Sequence, residues 1–296
     1  IYSMASVGDH LFIASHSNVL FIVTRTKNTF SIENKLLDSN ITSIYSLAST
    51  ADNDLWIGTN CGISILSNQK DKGWSIDKKI ALPTNPIRTI SLVGDVAYAA
   101  VEGYGLYEIN LQTLEFLKRQ DIGAKNVISS YVENDNSIWF GSWNEGLFRL
   151  IRSNQSFQEI PYLKDNNRNN IVWNISTPSL GKTPYLMTNG IGLCVYNEEA
   201  KVVETLSNDY PYVFSAMPKV GSNLIYVGTW GEGLKLFDLD RRKYLQNDNY
   251  RKLDGSRVFC VDRARADQLL IGAYPCGAVV LDERTNELEH LNFPDS

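Results

Sequence analysis

Apolar residues in this chain fall in short runs broken by Gly-, Asn- and Asp-rich turns, and one phrase recurs along the whole length. It consists of a polar turn, an apolar run, a small residue, a short turn, a glycine and a second apolar run. Residues 53–66 read NDLWIGTNCGISIL, 136–150 NSIWFGSWNEGLFRL, 223–237 NLIYVGTWGEGLKLF and 267–281 DQLLIGAYPCGAVVL. Looser copies occupy 94–109, 183–196 and 8–23. Aligned on the second glycine, the copies sit at Gly62, Gly105, Gly146, Gly192, Gly233 and Gly277, with Asn18 standing in for it in the first. The mean spacing is about 43 residues, which predicts seven units.

Each phrase has a strand-like run before it and another after it, so every unit predicts four short strands. No stretch sustains a 3.6-residue apolar period, and helices are expected to be nearly absent. Four-stranded units repeated radially describe an all-β, seven-bladed β-propeller of antiparallel blades. LWIG, IWFG, IYVG and LLIG are continuously apolar, as a strand buried on both faces requires. The residue closing that run (Gly58, Ala100, Gly141, Gly228 or Gly272) is small where another backbone should approach. The second glycine marks a tight turn needing positive φ, a conformation that Asn18 also tolerates. The blades are expected at about 1–38, 39–83, 84–123, 124–166, 167–208, 209–253 and 254–296, each from one contiguous segment. A chain that starts inside a strand-like run without an initiating methionine reads as a fragment of a larger protein.

The phrase in 53–66, with its kin in 136–150 and 223–237, closely resembles the two-component regulator propeller repeat. There is no Trp-Asp dipeptide, Gly-His pair or Gly-Gly pair, which argues against WD40 and kelch repeats. The resemblance implies the periplasmic sensor region of a hybrid two-component histidine kinase from a polysaccharide-degrading gut bacterium. It further implies an oligosaccharide signal, control of polysaccharide-utilisation genes, further domains on the same chain and a homodimer. Membrane attachment would then run only through the rest of an inner-membrane protein, and this segment itself would not be an enzyme.

Composition narrows the partners. The chain has 296 residues, 33 acidic against 28 basic side chains, and a formal charge of −5. That balance lacks the basic footprint of a nucleic-acid binder. No apolar run approaches the ~20 residues that span a bilayer, and the first residues lack the basic and apolar regions of a signal peptide. Cys61, Cys194, Cys260 and Cys276 are scattered, which predicts isolated, buried thiols and neither a zinc site nor a disulfide framework. No cofactor or metal is expected, because His10 and His290 should lie away from the shared mouth and His16 is alone there. No G-x-S-x-G, Walker or H-E-x-x-H motif is present, so no catalytic residue is assigned.

Candidate binding residues follow from the propeller reading. Turns between the second and third strands should gather on one rim, where a rigid scaffold presents exposed side chains. Trp143, Asn144 and Glu145 share an aromatic-x-acid spacing with Trp230 and Glu232, two blades on. Tyr104 and Tyr274 add aromatic faces, while Glu102 and Asn189 add polar groups. Aromatic rings beside carboxylates and amides suit a sugar, apolar on one face and rich in hydroxyls. The bland alternative is that both tryptophans lie over the adjacent blade and seal the rim. Trp173, on a first strand, is a further candidate. Loops between blades carry Arg88, Lys125, Lys164, Arg168, Tyr210, Tyr250 and Arg251, a set that either binds an acidic sugar or is ordinary surface charge. Trp56 and Trp139 read as packing. Two other classes stay open: a protein-interaction propeller scaffold, and a propeller lyase or glycosidase using a pair among Glu102, Glu145 and Glu232.

Overall fold

The computed structural model describes residues 3–291, apart from 16, 27–28, 70–72, 135–136, 152, 154, 161–170, 177–183, 247 and 266. His16, Lys164 and Arg168 therefore lie outside the described residues. Seven four-stranded antiparallel sheets account for nearly all of the secondary structure, and each takes its strands consecutively from the chain. The fold is a seven-bladed β-propeller with one short 3₁₀ helix, Asp248–Leu253, among the described residues. The chain divides into two compact units, blades one to three up to Val127 and blades four to seven from Ile128.

Blade two shows how the residue pattern builds a sheet. Its strands are Ile44–Ser49, Leu55–Thr59, Gly62–Gln69 and Gly73–Ile80. Every residue of Leu55–Thr59 is buried, because its two faces serve two different cores. Leu55 and Ile57 pack with Phe12, Leu20 and Ile22 of blade one. Trp56 points the other way and packs with Ile87, Ala97 and Ala99 of blade three. Blade six repeats the division in the second unit: Ile225 and Val227 face Met187 and Leu193 of blade five, while Tyr226 faces Val258 and Ile271 of blade seven. Alternation along the strand is real, but both sides are apolar because both are covered. The fourth strands, by contrast, are largely exposed. They shrink to three residues, Phe116–Lys118 and Lys243–Leu245, in blades three and six.

The small residue of the phrase makes room for a stitch between blades. A Cβ on Gly228 would stand 2.7 Å from the Val258 carbonyl oxygen and would also collide with the Ser215 hydroxyl. Gly58 and Gly141 face Ser46 and Ser129 in the same way. Those hydroxyls reach across to the next blade's first strand, Ser46 Oγ donating to the Ile87 carbonyl at 2.7 Å and Ser129 Oγ to that of Val172 at 2.9 Å. Side chains larger than hydrogen at these glycines would overpack the contact, at about 1–3 kcal/mol.

The turn glycine behaves as expected, with φ of 76° at Gly233, where a Cβ would also strike the Leu253 carbonyl. Asn18 departs from the expectation: it is not among the described residues with positive φ. Its amide Nδ2 instead donates to the Leu37 carbonyl at 3.5 Å, while its own carbonyl accepts from Leu37 N at 2.9 Å.

Trp56 and Trp139 are core residues, 2% and 0% exposed. Trp139 Nε1 donates to the buried Glu133 carboxylate at 3.0 Å, which also accepts from Ser137 Oγ at 2.7 Å and Arg149 at 2.8 Å. Arg149 continues to Glu198 of the next blade at 3.2 Å. Of the four thiols, which are free, Cys194 is fully buried, but Cys61, Cys260 and Cys276 are only half-buried. Cys61 lies in the turn between two strands, and its Sγ hydrogen-bonds the Asn40 carbonyl of a preceding loop at 3.1 Å.

Candidate functional site

The site begins with a repeated irregularity of the backbone. Among the described residues, the ladder between the first and second strands slips by one residue in five blades. The slips fall between Ile44 and Ser46, Ile87 and Thr89, Val172 and Asn174, Val213 and Ser215, and Val258 and Cys260. The extra residues are Tyr45, Arg88, Trp173, Phe214 and Phe259. A bulge opposes two residues to one, bends the strand and re-aims a side chain that regular alternation would send elsewhere. The β-branched residue just before each bulge is buried, as Val172, Val213 and Val258 show.

In the second unit the three bulge residues are joined by turn residues into one aromatic belt across blades four to seven. The Trp143 and Trp173 rings meet edge to face, 5.0 Å apart, and Trp173 lies 5.0 Å from Phe214. Phe214 stands 5.3 Å from Trp230 and 5.4 Å from Phe259. Trp143, Trp230 and Tyr274 remain 41%, 45% and 63% exposed, whereas Phe214 is buried beneath them. Trp173 Nε1 is buried without a hydrogen-bond partner among the described residues, a deficit costing about 1–3 kcal/mol. The belt is thus an open shelf with a buried aromatic floor. The tryptophans do pack over the adjacent blade, yet they keep a large face in solvent.

A hydroxyl holds the turns that carry Trp143 and Trp230. Ser142 Oγ donates to the Gly146 carbonyl at 2.9 Å and accepts from Glu145 N at 2.8 Å. Thr229 Oγ1 donates to Gly233 O at 2.8 Å, and Thr59 and Thr188 repeat the bond to Gly62 and Gly192. The Trp230 turn is further tied to its neighbours by Trp230 N on Tyr212 O at 3.1 Å and by Gly231 N on Ser256 O at 3.2 Å. An isolated bridge pairs Trp230 with Arg257, whose Cζ lies 4.2 Å from the indole centroid and 5.8 Å from that of Tyr274. Asn144 and Glu232 are exposed and Glu145 is half-buried.

Arg88 and Tyr104 belong to the first unit. Arg88 lies within the strand Ile87–Val93 and not in a loop, because it is the bulge residue of blade three. Both its Nε and a terminal nitrogen hold Glu102 Oε2 at 2.6 Å, and its Cζ lies 5.0 Å from the Tyr45 centroid. Its charge is therefore engaged by a neighbour, and so is the Glu102 carboxylate. Tyr104 is 44% exposed in the following turn. Two other loop candidates are packing residues: Tyr250 is buried against Tyr226, and Tyr210 meets Tyr244 edge to face at 4.6 Å.

Phe214, Phe259 and Arg257 escape motif reading because each looks like an ordinary strand residue. The available signal is a second alignment, on I-Y-S, I-R-T, V-W-N, V-F-S and V-F-C at the first strands. There a β-branched residue precedes the bulge and a small or polar residue follows it. The two described clefts lie elsewhere, one of about 610 Å³ beside Lys252, Asp282 and Glu289 and one of about 710 Å³ beside Glu108, Thr113 and Phe116. Among the described residues no group of three or more His, Cys, Asp or Glu is placed to hold a metal ion. No helix among them is long and apolar enough to cross a membrane.

No protein-family model and no curated protein matches this sequence. Solved structures do match in fold. One is the extracellular domain of a protein described as the hybrid two-component system BT3049 from B. thetaiotaomicron, with a TM-score of 0.73 at 16% identity over 95% of this chain. Another is the extracellular domain of a protein described as the one-component system BT4673 from the same organism, with a TM-score of 0.71 at 16% identity over 87% of this chain. The chain spans 40% of the first of those structures and 34% of the second. The likeness is one of fold: this chain is similar to part of the extracellular domains of bacterial signalling proteins.

Proposed function

We propose that this chain is a ligand-sensing propeller, the periplasmic part of a hybrid two-component sensor anchored in the inner membrane. Its signal is an oligosaccharide, and its output is control of polysaccharide-utilisation genes. The observation that carries the reading is the continuous aromatic belt from Trp143 through Trp173 and Phe214 to Trp230 and Phe259, partly exposed on a rigid sheet framework. Aromatic faces hold the C–H faces of sugar rings, and Asn144, Glu145 and Glu232 at the edge pair with hydroxyls. The function is binding without turnover, and no residue of this segment is assigned a catalytic role.

Signalling follows by population shift. A ligand that binds one arrangement of the sensor's domains or subunits better than another moves the equilibrium by that difference in affinity alone. Further domains of the same chain and a second copy of it are the expected partners. Calorimetric titration against a panel of plant and host glycan fragments tests the reading. Saturable binding of one glycan class, with the fragment recovered unaltered, supports it. Heat with no fragment, or cleavage of a fragment, contradicts it.

A further inference from the structure

Arg257 is the guanidinium that contacts the belt, and its surroundings differ from those of several other arginines among the described residues. Arg119, Arg149 and Arg263 are each bound to one or two carboxylates, as Arg88 is to Glu102. Arg257 is exposed at the start of its strand, Arg257–Arg265, and has no carboxylate partner among the described residues. Its contacts are aromatic: the Trp230 ring at 4.2 Å and the Tyr274 ring at 5.8 Å, both themselves largely exposed. The isolated bridge to Trp230 pins its backbone beside the turn that carries the indole.

An aromatic partner stabilises a guanidinium through its face while leaving the hydrogen-bond donors on the guanidinium edge unused. Such a group is held in place without being neutralised. Its planar fork matches a carboxylate or sulfate, where two parallel charge-assisted bonds form. We infer that Arg257 is the anion-reading residue of the belt, and that the ligand is an acidic oligosaccharide bearing a uronate carboxylate or a sulfate. The inference rests on the sugar-binding reading of the same surface and adds the charge of the ligand and the residue that selects it. Trp230 and Tyr274 then act twice, as sugar platforms and as supports for Arg257.

The test uses the purified propeller, uronate and sulfated fragments, and neutral fragments of matched length, titrated at low and high salt. The wild type is expected to prefer one acidic class, with affinity falling as salt screens the charge. Arg257→Gln lowers the acidic-to-neutral affinity ratio by about tenfold or more, and Arg257→Lys, which keeps a point charge but loses the fork, falls between. If Arg257→Gln does not fold, the Lys variant and the salt dependence of the wild type decide. Tight neutral-glycan binding with a ratio unchanged in these variants overturns the role of Arg257 while leaving sugar sensing intact. Failure to bind any fragment, acidic or neutral, overturns both.

Discussion

The indoles of Trp143 and Trp173 meet edge to face at 5.0 Å although they stand on successive blades, one in a turn and the other at a strand bulge. The contact ties a solvent-facing ring to one whose Nε1 is buried without a partner among the described residues. Trp173 thus links Trp143 on one side to Phe214 on the other. Trp173→Ala is expected to weaken ligand binding by about 2 kcal/mol, about 30-fold, in the manner of a buried aromatic anchor. Intrinsic fluorescence titration checks this, with Trp74→Phe, outside the belt, leaving affinity unchanged.

Glu133 predicts the largest stability effect outside the belt. Its carboxylate is 6% exposed and accepts from Ser137, Trp139 and Arg149. Glu133→Ala leaves a guanidinium and an indole N–H without that acceptor and should cost about 3–5 kcal/mol. Glu133→Gln keeps an acceptor and should cost less. Urea denaturation of both variants gives the comparison, and equal losses would contradict the network as described.

Asp262 lies in the first strand of blade seven, where burial pushes its carboxyl above the ordinary carboxylate range, while its Oδ1 accepts Arg263 N at 2.7 Å. The folded state then binds a proton at higher pH than the unfolded state. Its favourable contribution is present below the unfolded value, about 3.9, and is lost as pH rises through the folded value. Asp262→Asn retains the acceptor and removes the buried charge. The variant should gain stability relative to wild type at pH 7, with the gain closing at pH 4. Thermal melts at the two pH values measure it, and a loss of stability at pH 7 would contradict the assignment.

Much of the fold was legible because the repeat carries its own physics. Leu55, Trp56 and Ile57 form a continuous apolar run, and each finds a covered face as a doubly buried strand must. Gly58 and Gly228 are small where the next blade arrives, and Gly233 has the positive φ its turn requires. Asn18 departs from the pattern: it lacks the positive φ of the turn glycines, and its side-chain amide donates to the Leu37 carbonyl. The site was legible only in part. Trp143 and Trp230 stand out as aromatic residues in polar turns, but Phe214 and Phe259 look like core, and only a slipped ladder joins them to the belt. Pairing is equally invisible in sequence: Arg88 stands out as a candidate but holds Glu102, while Arg257, an ordinary strand residue by pattern, lies over Trp230.

Thiol chemistry separates by burial. Burial pushes the Cys194 thiol up to about 11, so almost none of it is thiolate at pH 8. Iodoacetamide should modify Cys61 well before Cys194 in the folded protein, and both equally in urea. Peptide mass mapping reads the order, and early labelling of Cys194 would contradict its place in the core.

The most direct test of the belt is hydroxyl-radical footprinting with and without a saturating glycan fragment identified by calorimetry. The account predicts protection of Trp143, Trp230 and Tyr274, with the exposed Phe116 and Leu117 unchanged. Protection at Phe116 and Leu117, or none at the two tryptophans, would contradict it.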